Sequence, residues 1–388
     1  MTIEAVDPRA RGLRSRRTDE AATPLGILAR LDWVLLGATV AAVAYGVRAI
    51  GGITSHDPGG SAESRQALYA AAGGLVLVIA ILVDPAFYRR FWKAIYVFLC
   101  TVMGFLLVFG AATRGSKRWI NIGFFTFQPS EFGKVVLALT LAAFLAAKAK
   151  QTDRLTVPLK TIGLAALPIL LVFAQPDAGT ALVYIAVLAA VLLVAGVRWL
   201  HLAVLAAAGL VAVLAVLWWL PSAGVQVLKP YQTARLTNSN SYNLTESKIA
   251  VGAGGLRGQG VNGATQTALD YLPAHDNDFA FASLAEQRGF FGASILLLLY
   301  LLIVWRGLKV VTNAADLYGA IVAAGIVFGF LFQVFVNVGM TMGIAPITGI
   351  PLPFVSVGGS SLIANLAAMG VLLAIYARGR VSRYSRRR

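Results

Sequence analysis

The chain has 388 residues, 58% of them hydrophobic and only 13% charged, with a formal net charge of +16. A soluble domain carries about 25% charged residues, so half that density excludes an ordinary water-soluble fold of this size. The basic excess is not gathered as a stripe on a soluble scaffold, which argues against any nucleic-acid partner. The lone cysteine, Cys100, excludes disulfides and cysteine-based metal sites within the chain.

Residues 1–30 are polar and Arg-rich, with no apolar core before a small-residue cleavage site. They read as a basic, disordered cytoplasmic tail. Long uncharged runs follow, among them Ile95 to Ala112 and Ile162 to Pro176. Apolar stretches of about 18 residues are membrane-span candidates. Hydrocarbon offers no partner for a free backbone N–H or C=O, so such a segment must be helical. The short alternating segments of a membrane β-barrel are absent. Ten helices are predicted, at 32–50, 66–83, 94–112, 131–147, 161–175, 178–196, 202–220, 280–304, 317–338 and 360–377. The expected architecture is an all-α integral membrane protein with a membrane domain over 31–378 and a basic tail over 379–388.

Charge sets the expected orientation. With the N-terminus inside, the inner face collects Arg9, Arg11, Arg14, Arg16, Arg17 and Arg30, then Arg89, Arg90 and Lys93. It adds Lys148, Lys150, Arg154, Lys160, Arg198, Arg306 and Lys309, and six arginines from Arg378 to Arg388. These are 22 of the 33 basic residues. Lys and Arg accumulate in cytoplasmic loops, so both termini are expected to be cytoplasmic. Trp33, Trp92, Trp199 and Trp305 fall at inner boundaries and Trp218 and Trp219 at an outer one, as an interfacial belt requires.

The outer connections carry the polar chemistry. The fourth predicted helix opens with Gln128-Pro129-Ser130-Glu131 and the sixth with Gln175-Pro176-Asp177. Ser130 and Asp177 are expected to cap those helices. Lys134 lies a turn inside an apolar run and shares a helix face with Glu131. A lone intramembrane lysine is costly, so Glu131 is its expected partner. The pair either fixes the helix or floors a polar cavity open to the outside.

A loop of nearly 60 residues, 221–279, joins helices seven and eight. It is expected to pack on the membrane surface, partly as helix. Its ionisable residues are Lys229, Arg235, Glu246, Lys248, Arg257, Asp270, His275, Asp276 and Asp278. A basic patch near carboxylates suits phosphate binding with proton removal; a solvated loop is the plain alternative. The glycine run Gly252 to Gly260 lacks a preceding strand, so it marks close-packed turns rather than a nucleotide site. The stretch Gly343 to Ser361 holds prolines and glycines that break any helix. Non-helical backbone at membrane depth needs protein or water around it, so a re-entrant segment lining the cavity is expected, with Ser356 and Ser360 among its polar groups.

Jointly these motifs resemble the SEDS family, typified by RodA and FtsW. The matching stretches are Gly115-Ser116-Lys117-Arg118-Trp119-Ile120 with Gln128 to Glu131, Gln175 to Ala181, Glu246 to Leu256, Tyr271-Leu272-Pro273 with Asp278-Phe279, and Gly349 to Ser361. The resemblance implies a peptidoglycan glycosyltransferase of the bacterial cytoplasmic membrane. Such proteins polymerise lipid II on the outer face and work with a class B penicillin-binding protein. The family's essential aspartate falls on Asp278. This chain departs from the usual Pro-x-x-His-Thr-Asp-Phe by reading Pro273-Ala274-His275-Asp276-Asn277-Asp278-Phe279, which makes Asp276 a rival. The loop text leans towards RodA and hence cell elongation.

The reaction so implied joins a sugar 4-hydroxyl to an anomeric carbon and releases polyprenyl pyrophosphate. Asp278 is the expected general base. Lys117, Arg118, Lys134, Gln232, Arg235 and Lys248 are expected in the substrate cavity with Glu131, Asp177, Ser356 and Ser360. A divalent cation, Mg²⁺ or Mn²⁺, could bridge Asp278 or Glu131 to pyrophosphate. A lipid II flippase or other transporter is the alternative, since proline-broken helices and intramembrane charges also mark transporters. A non-catalytic scaffold for the penicillin-binding protein is a third reading.

Overall fold

A computed structural model describes residues 24–57, 62–109, 119–122, 125–222, 224 and 242–386. The apolar helices are α2 (Trp33–Ile53), α3 (Glu63–Leu82), α4 (Pro85–Phe109), α5 (Pro129–Ala147), α6 (Thr156–Ala174) and α7 (Ala178–Val194). They continue with α8 (Trp199–Leu214), α12 (Ala280–Asn313), α13 (Leu317–Met342) and α14 (Gly359–Arg386), after a short α1 (Pro24–Leu28). Between α8 and α12 lie α9 (Tyr242–Ala253), α10 (Gly260–Gly263) and α11 (Thr265–Ala268). Each of the ten apolar segments expected from sequence is helical. Among the described residues, eight helices are long and apolar enough to cross a membrane; α7 and α8 are apolar but shorter.

Helix ends assigned to the basic face meet one another. Asp32 caps α2 through Leu35 N at 3.0 Å and pairs with Arg306 of α12, Nη2 to Oδ2 at 2.6 Å. Arg89 of α4 reaches Asp316 before α13 at 3.3 Å, and Arg378 of α14 donates to the Leu82 carbonyl ending α3 at 3.1 Å. On the opposite face Arg48 and Glu63 close the α2–α3 connection at 2.9 Å. Trp33, Trp199, Trp218, Trp219 and Trp305 are all exposed, consistent with an interfacial belt. The apolar core runs between α2, α5, α7, α12, α13 and α14 and includes Leu35, Leu141, Tyr184, Leu296 and Leu372.

The structure departs from the expected elements in four places. Two short strands, β1 (Ile120–Ile122) and β2 (Phe125–Phe127), pair antiparallel as a small hairpin, where sequence suggested only a compact loop. Four of the six strand residues are Ile or Phe, types that favour strands. Ser130 is not a cap: Pro129 takes the first helical position, where its missing N–H costs nothing. The cap therefore moves back to Gln128, in extended backbone at φ −117°. Helix α12 runs to Asn313, beyond the expected 304, and α14 runs to Arg386, beyond the expected 377. Helix α12 is also broken at Gly289, which has φ 65° and ψ −167°.

That break explains the glycine run. Phe290 N and Phe291 N, freed by the kink, donate to Gly255 O at 2.8 Å and Leu256 O at 3.2 Å. Gly258, at φ +83°, lies against the carbonyl of Gln287 with no room for a Cβ. The run is thus a backbone-to-backbone splice between the outer loop and α12.

Residues 343–358 are non-helical and re-enter the bundle. Ile350, Leu352, Phe354 and Val355 are buried. The Phe354 carbonyl sits against Gly46 in mid-α2, where a side chain larger than hydrogen has no space. Tyr300 Oη of α12 donates to the Pro353 carbonyl, and the Phe330 ring of α13 lies 5.7 Å from the Phe354 ring. The breaks in this backbone are covered by protein, as membrane depth demands.

Candidate active site at the outer face

The two Gln-Pro motifs form one hydrogen-bonded cluster. Gln128 Nε2 donates to Asp177 Oδ2 at 3.0 Å and to Ser130 Oγ at 3.1 Å. Gln128 Oε1 accepts from Trp119 Nε1 at 3.1 Å. Asp177 caps α7 as expected, accepting from Thr180 N at 3.1 Å. Ser360 at the start of α14 accepts from Gln128 N at 2.9 Å and donates to Thr126 O at 2.7 Å. Ser360 therefore clamps the hairpin to the bundle, and its hydroxyl is already committed to two backbone groups.

One turn inside α5, Lys134 Nζ lies 2.7 Å from Glu131 Oε2. Both side chains are buried. Burying one ion alone costs several kcal/mol, so each is tolerable only beside the other. The pair lines a narrow cleft between α5, α7, α13 and α14. Gly325, Gly329, Gln333 and Asn365 also line it. Gln333 is 2% exposed, and its Nε2 has no hydrogen-bond partner among the described residues. Sequence reasoning missed Gln333; the available signal was an amide within the ninth apolar run, four residues before Asn337.

The loop end carrying Asp278 is gripped through its backbone. Asp276 O accepts from Val357 N at 2.9 Å, Asn277 O accepts from Ser356 Oγ, and Asp278 O accepts from Asn337 Nδ2 at 3.0 Å. Asn337 Nδ2 also donates to Ile350 O at 2.7 Å. Phe279, next in sequence, is buried against Ala250, Leu272 and Ala282. Asp276 and Asp278 are both half-buried. Asn337 and Gln333 lie one turn apart on α13, so one helix bounds the ion-pair cleft and holds the loop end.

The other acids of the loop are drawn elsewhere. His275 is buried between Asp57 of the α2–α3 connection, Nε2 to Oδ1 at 3.2 Å, and Asp270, Nδ1 to Oδ1 at 3.3 Å. Asp276 Oδ1 accepts from Asn277 Nδ2 at 2.9 Å. Glu286 of α12, fully buried, accepts from Gln266 N, Thr267 N and Thr267 Oγ1 at 2.8, 3.0 and 2.6 Å. It holds the start of α11 as a carboxylate at a helix N-terminus.

Lys248 is exposed on α9, and its side chain lies over Gly343, the left-handed residue that ends α13. A cation there also suits the carbonyl end of α13. The expected cavity residues Lys117, Arg118, Gln232 and Arg235 lie outside the described residues. Among the described residues no group of three or more His, Cys, Asp or Glu side chains could hold a metal ion. A bridging Mg²⁺ or Mn²⁺ would therefore need substrate oxygens among its ligands.

The sequence profile of the FtsW/RodA/SpoVE family, described as cell cycle protein, matches residues 27–380. This chain belongs to that family. Peptidoglycan glycosyltransferase MrdB of Escherichia coli is 34% identical over 359 residues, covering 89% of this chain and 93% of MrdB. Among solved structures the family fold recurs at TM-score 0.74 and 29% identity, over 90% of this chain and 98% of the other. That structure is described as the structural coordination of polymerization and crosslinking by a peptidoglycan synthase complex. The rod shape determining protein RodA of Thermus thermophilus matches at TM-score 0.66 and 28% identity, over 89% of this chain and 96% of RodA. FtsW/RodA/SpoVE membership and the apolar helices make this a multi-pass protein of the cytoplasmic membrane.

Proposed function

We infer that this chain is a peptidoglycan glycosyltransferase that polymerises lipid II at the outer face of the cytoplasmic membrane, in the elongation role of RodA. The observation carrying the reading is the near full-length relationship to peptidoglycan glycosyltransferase MrdB, whose match covers the ion-pair cleft and the Asp278 loop. Nothing in the geometry favours the flippase alternative. The buried Glu131–Lys134 pair sits in the first turns of α5, not at mid-span where a transporter places its ionisable groups.

Asp278 acts as general base, taking the proton of the acceptor sugar 4-hydroxyl as its oxygen attacks the anomeric carbon. The anomeric carbon–oxygen bond to pyrophosphate breaks, and the charge passes to the departing polyprenyl pyrophosphate. Cations stabilise that charge; Lys134 in the cleft and Lys248 above α13 are candidates, with Arg118 and Arg235. The basic excess at both termini and the inner connections supports ten spans with both ends inside, and with them the 221–279 loop on the face where lipid II is presented. A class B penicillin-binding protein cross-links the product strands, and membrane lipids surround the bundle.

The test is polymer formation from purified lipid II by the full-length protein with a class B penicillin-binding protein. Glycan chains that disappear with Asp278→Ala support the reading. Lipid II crossing a liposome bilayer without polymer, in an Asp278-dependent manner, would replace it with the transporter.

A further inference from the structure

Three consecutive carbonyls, of Asp276, Asn277 and Asp278, are each bound by a different donor: Val357 N, Ser356 Oγ and Asn337 Nδ2. We propose that Asn337 and Ser356 are positioning residues that set the direction of the Asp278 carboxylate. The proposal rests on Asp278 being the general base.

Asn337 is fully buried in α13, where Gln333 and Thr341 are the other buried polar side chains of a mostly apolar helix. Both of its near partners are carbonyls, which only accept, so its Nδ2 must face them and the amide orientation is fixed by chemistry. Its Oδ1 is left buried with no partner among the described residues. A buried unsatisfied acceptor is costly, so an apolar side chain of similar volume would serve packing better. The amide does something a leucine cannot: it joins the loop carbonyl of Asp278 to the re-entrant carbonyl of Ile350.

Ser356 works from the other side. Its Oγ donates to Asn277 O and accepts from Leu352 N at 2.8 Å, which ties the tight turn of the re-entrant segment to the loop. Gln66 of α3 holds the Ser356 carbonyl at 3.1 Å, so the donor stands on a braced backbone. Phe279 is buried immediately after. The backbone on both sides of the Asp278 Cα is therefore held, which sets the direction in which the side chain leaves the main chain. A general base needs placement within about 0.5 Å of its working geometry, and a misplacement of about 1 Å can cost 100-fold in rate.

The decisive experiment is steady-state lipid II polymerisation by the full-length protein, with Asp278→Ala, Asn337→Leu, Ser356→Ala and Ser356→Thr compared. Asn337→Leu and Ser356→Ala should lower kcat by about 10- to 100-fold. The KM for lipid II should stay within about twofold, because substrate contacts are untouched. Ser356→Thr keeps the hydroxyl and should restore most of the kcat. Wild-type kcat in Ser356→Ala, a loss confined to KM, or no recovery in Ser356→Thr overturns the proposal while an inactive Asp278→Ala leaves the base assignment standing. A fully active Asp278→Ala instead removes the base assignment itself, and this proposal with it. If Asn337→Leu does not fold, the two Ser356 variants decide.

Discussion

Gln128 Nε2 donates to Asp177 Oδ2 at 3.0 Å, joining the starts of two helices that lie 49 residues apart in sequence. Asp177 meanwhile caps its own helix through Thr180 N. Asp177→Ala removes both bonds. Loss of an N-cap costs about 1–2 kcal/mol, so the variant should melt at lower temperature in detergent. Asp177→Asn keeps an acceptor for Thr180 N and should lose less.

The Glu131–Lys134 pair gives a second prediction. Removing one partner strands a buried charge and should cost about 3–5 kcal/mol. Glu131→Gln and Lys134→Met should each therefore unfold well below the wild type. The double variant should regain most of that stability. If the pair is only a brace, the double variant should also regain polymerisation; as part of a substrate cleft it should stay inactive. Thermal melts and lipid II polymerisation on the same samples separate the two.

Asp278 and Asp276 are told apart by single substitutions. Asp278→Ala should abolish polymer, with a loss of at least about 100-fold expected for a general base. Asp276→Ala removes an acceptor for its neighbour Asn277 Nδ2 and should retain most activity. A near-normal Asp278→Ala beside an inactive Asp276→Ala would transfer the role.

Glu286 makes a local prediction. Glu286→Ala leaves Gln266 N and Thr267 N without their carboxylate, at a part-buried helix start. Stability should fall by about 2–4 kcal/mol. Amide exchange should accelerate first at residues 265–272, and later in α12. Uniform acceleration across the chain would contradict a role confined to the loop.

The helices were legible in the sequence because hydrocarbon allows no other answer to a long uncharged run. Charge counting put Arg89 and Arg306 on one face, and each meets an acid at a neighbouring helix end, Asp316 and Asp32. The Glu131–Lys134 pair followed from the cost of a lone buried lysine. The hairpin did not, since three-residue strands leave too short a pattern. Ser130 misled because a capping residue and the second residue of a helix look alike in sequence when proline lies between. The break at Gly289 was invisible, as its cause is the loop backbone that replaces its lost bonds. Asn337 gives no signal within its apolar run, because its partners are carbonyls, and carbonyls carry no residue identity.

That last point has a consequence for how this stretch can vary. The donors around residues 276–278 hold main-chain oxygens, which every amino acid supplies. Side chains there can be exchanged without releasing the grip, whereas adding or removing a single residue would put every oxygen out of step with its donor. At this end of the loop the grip depends on spacing, not on which side chains fill it.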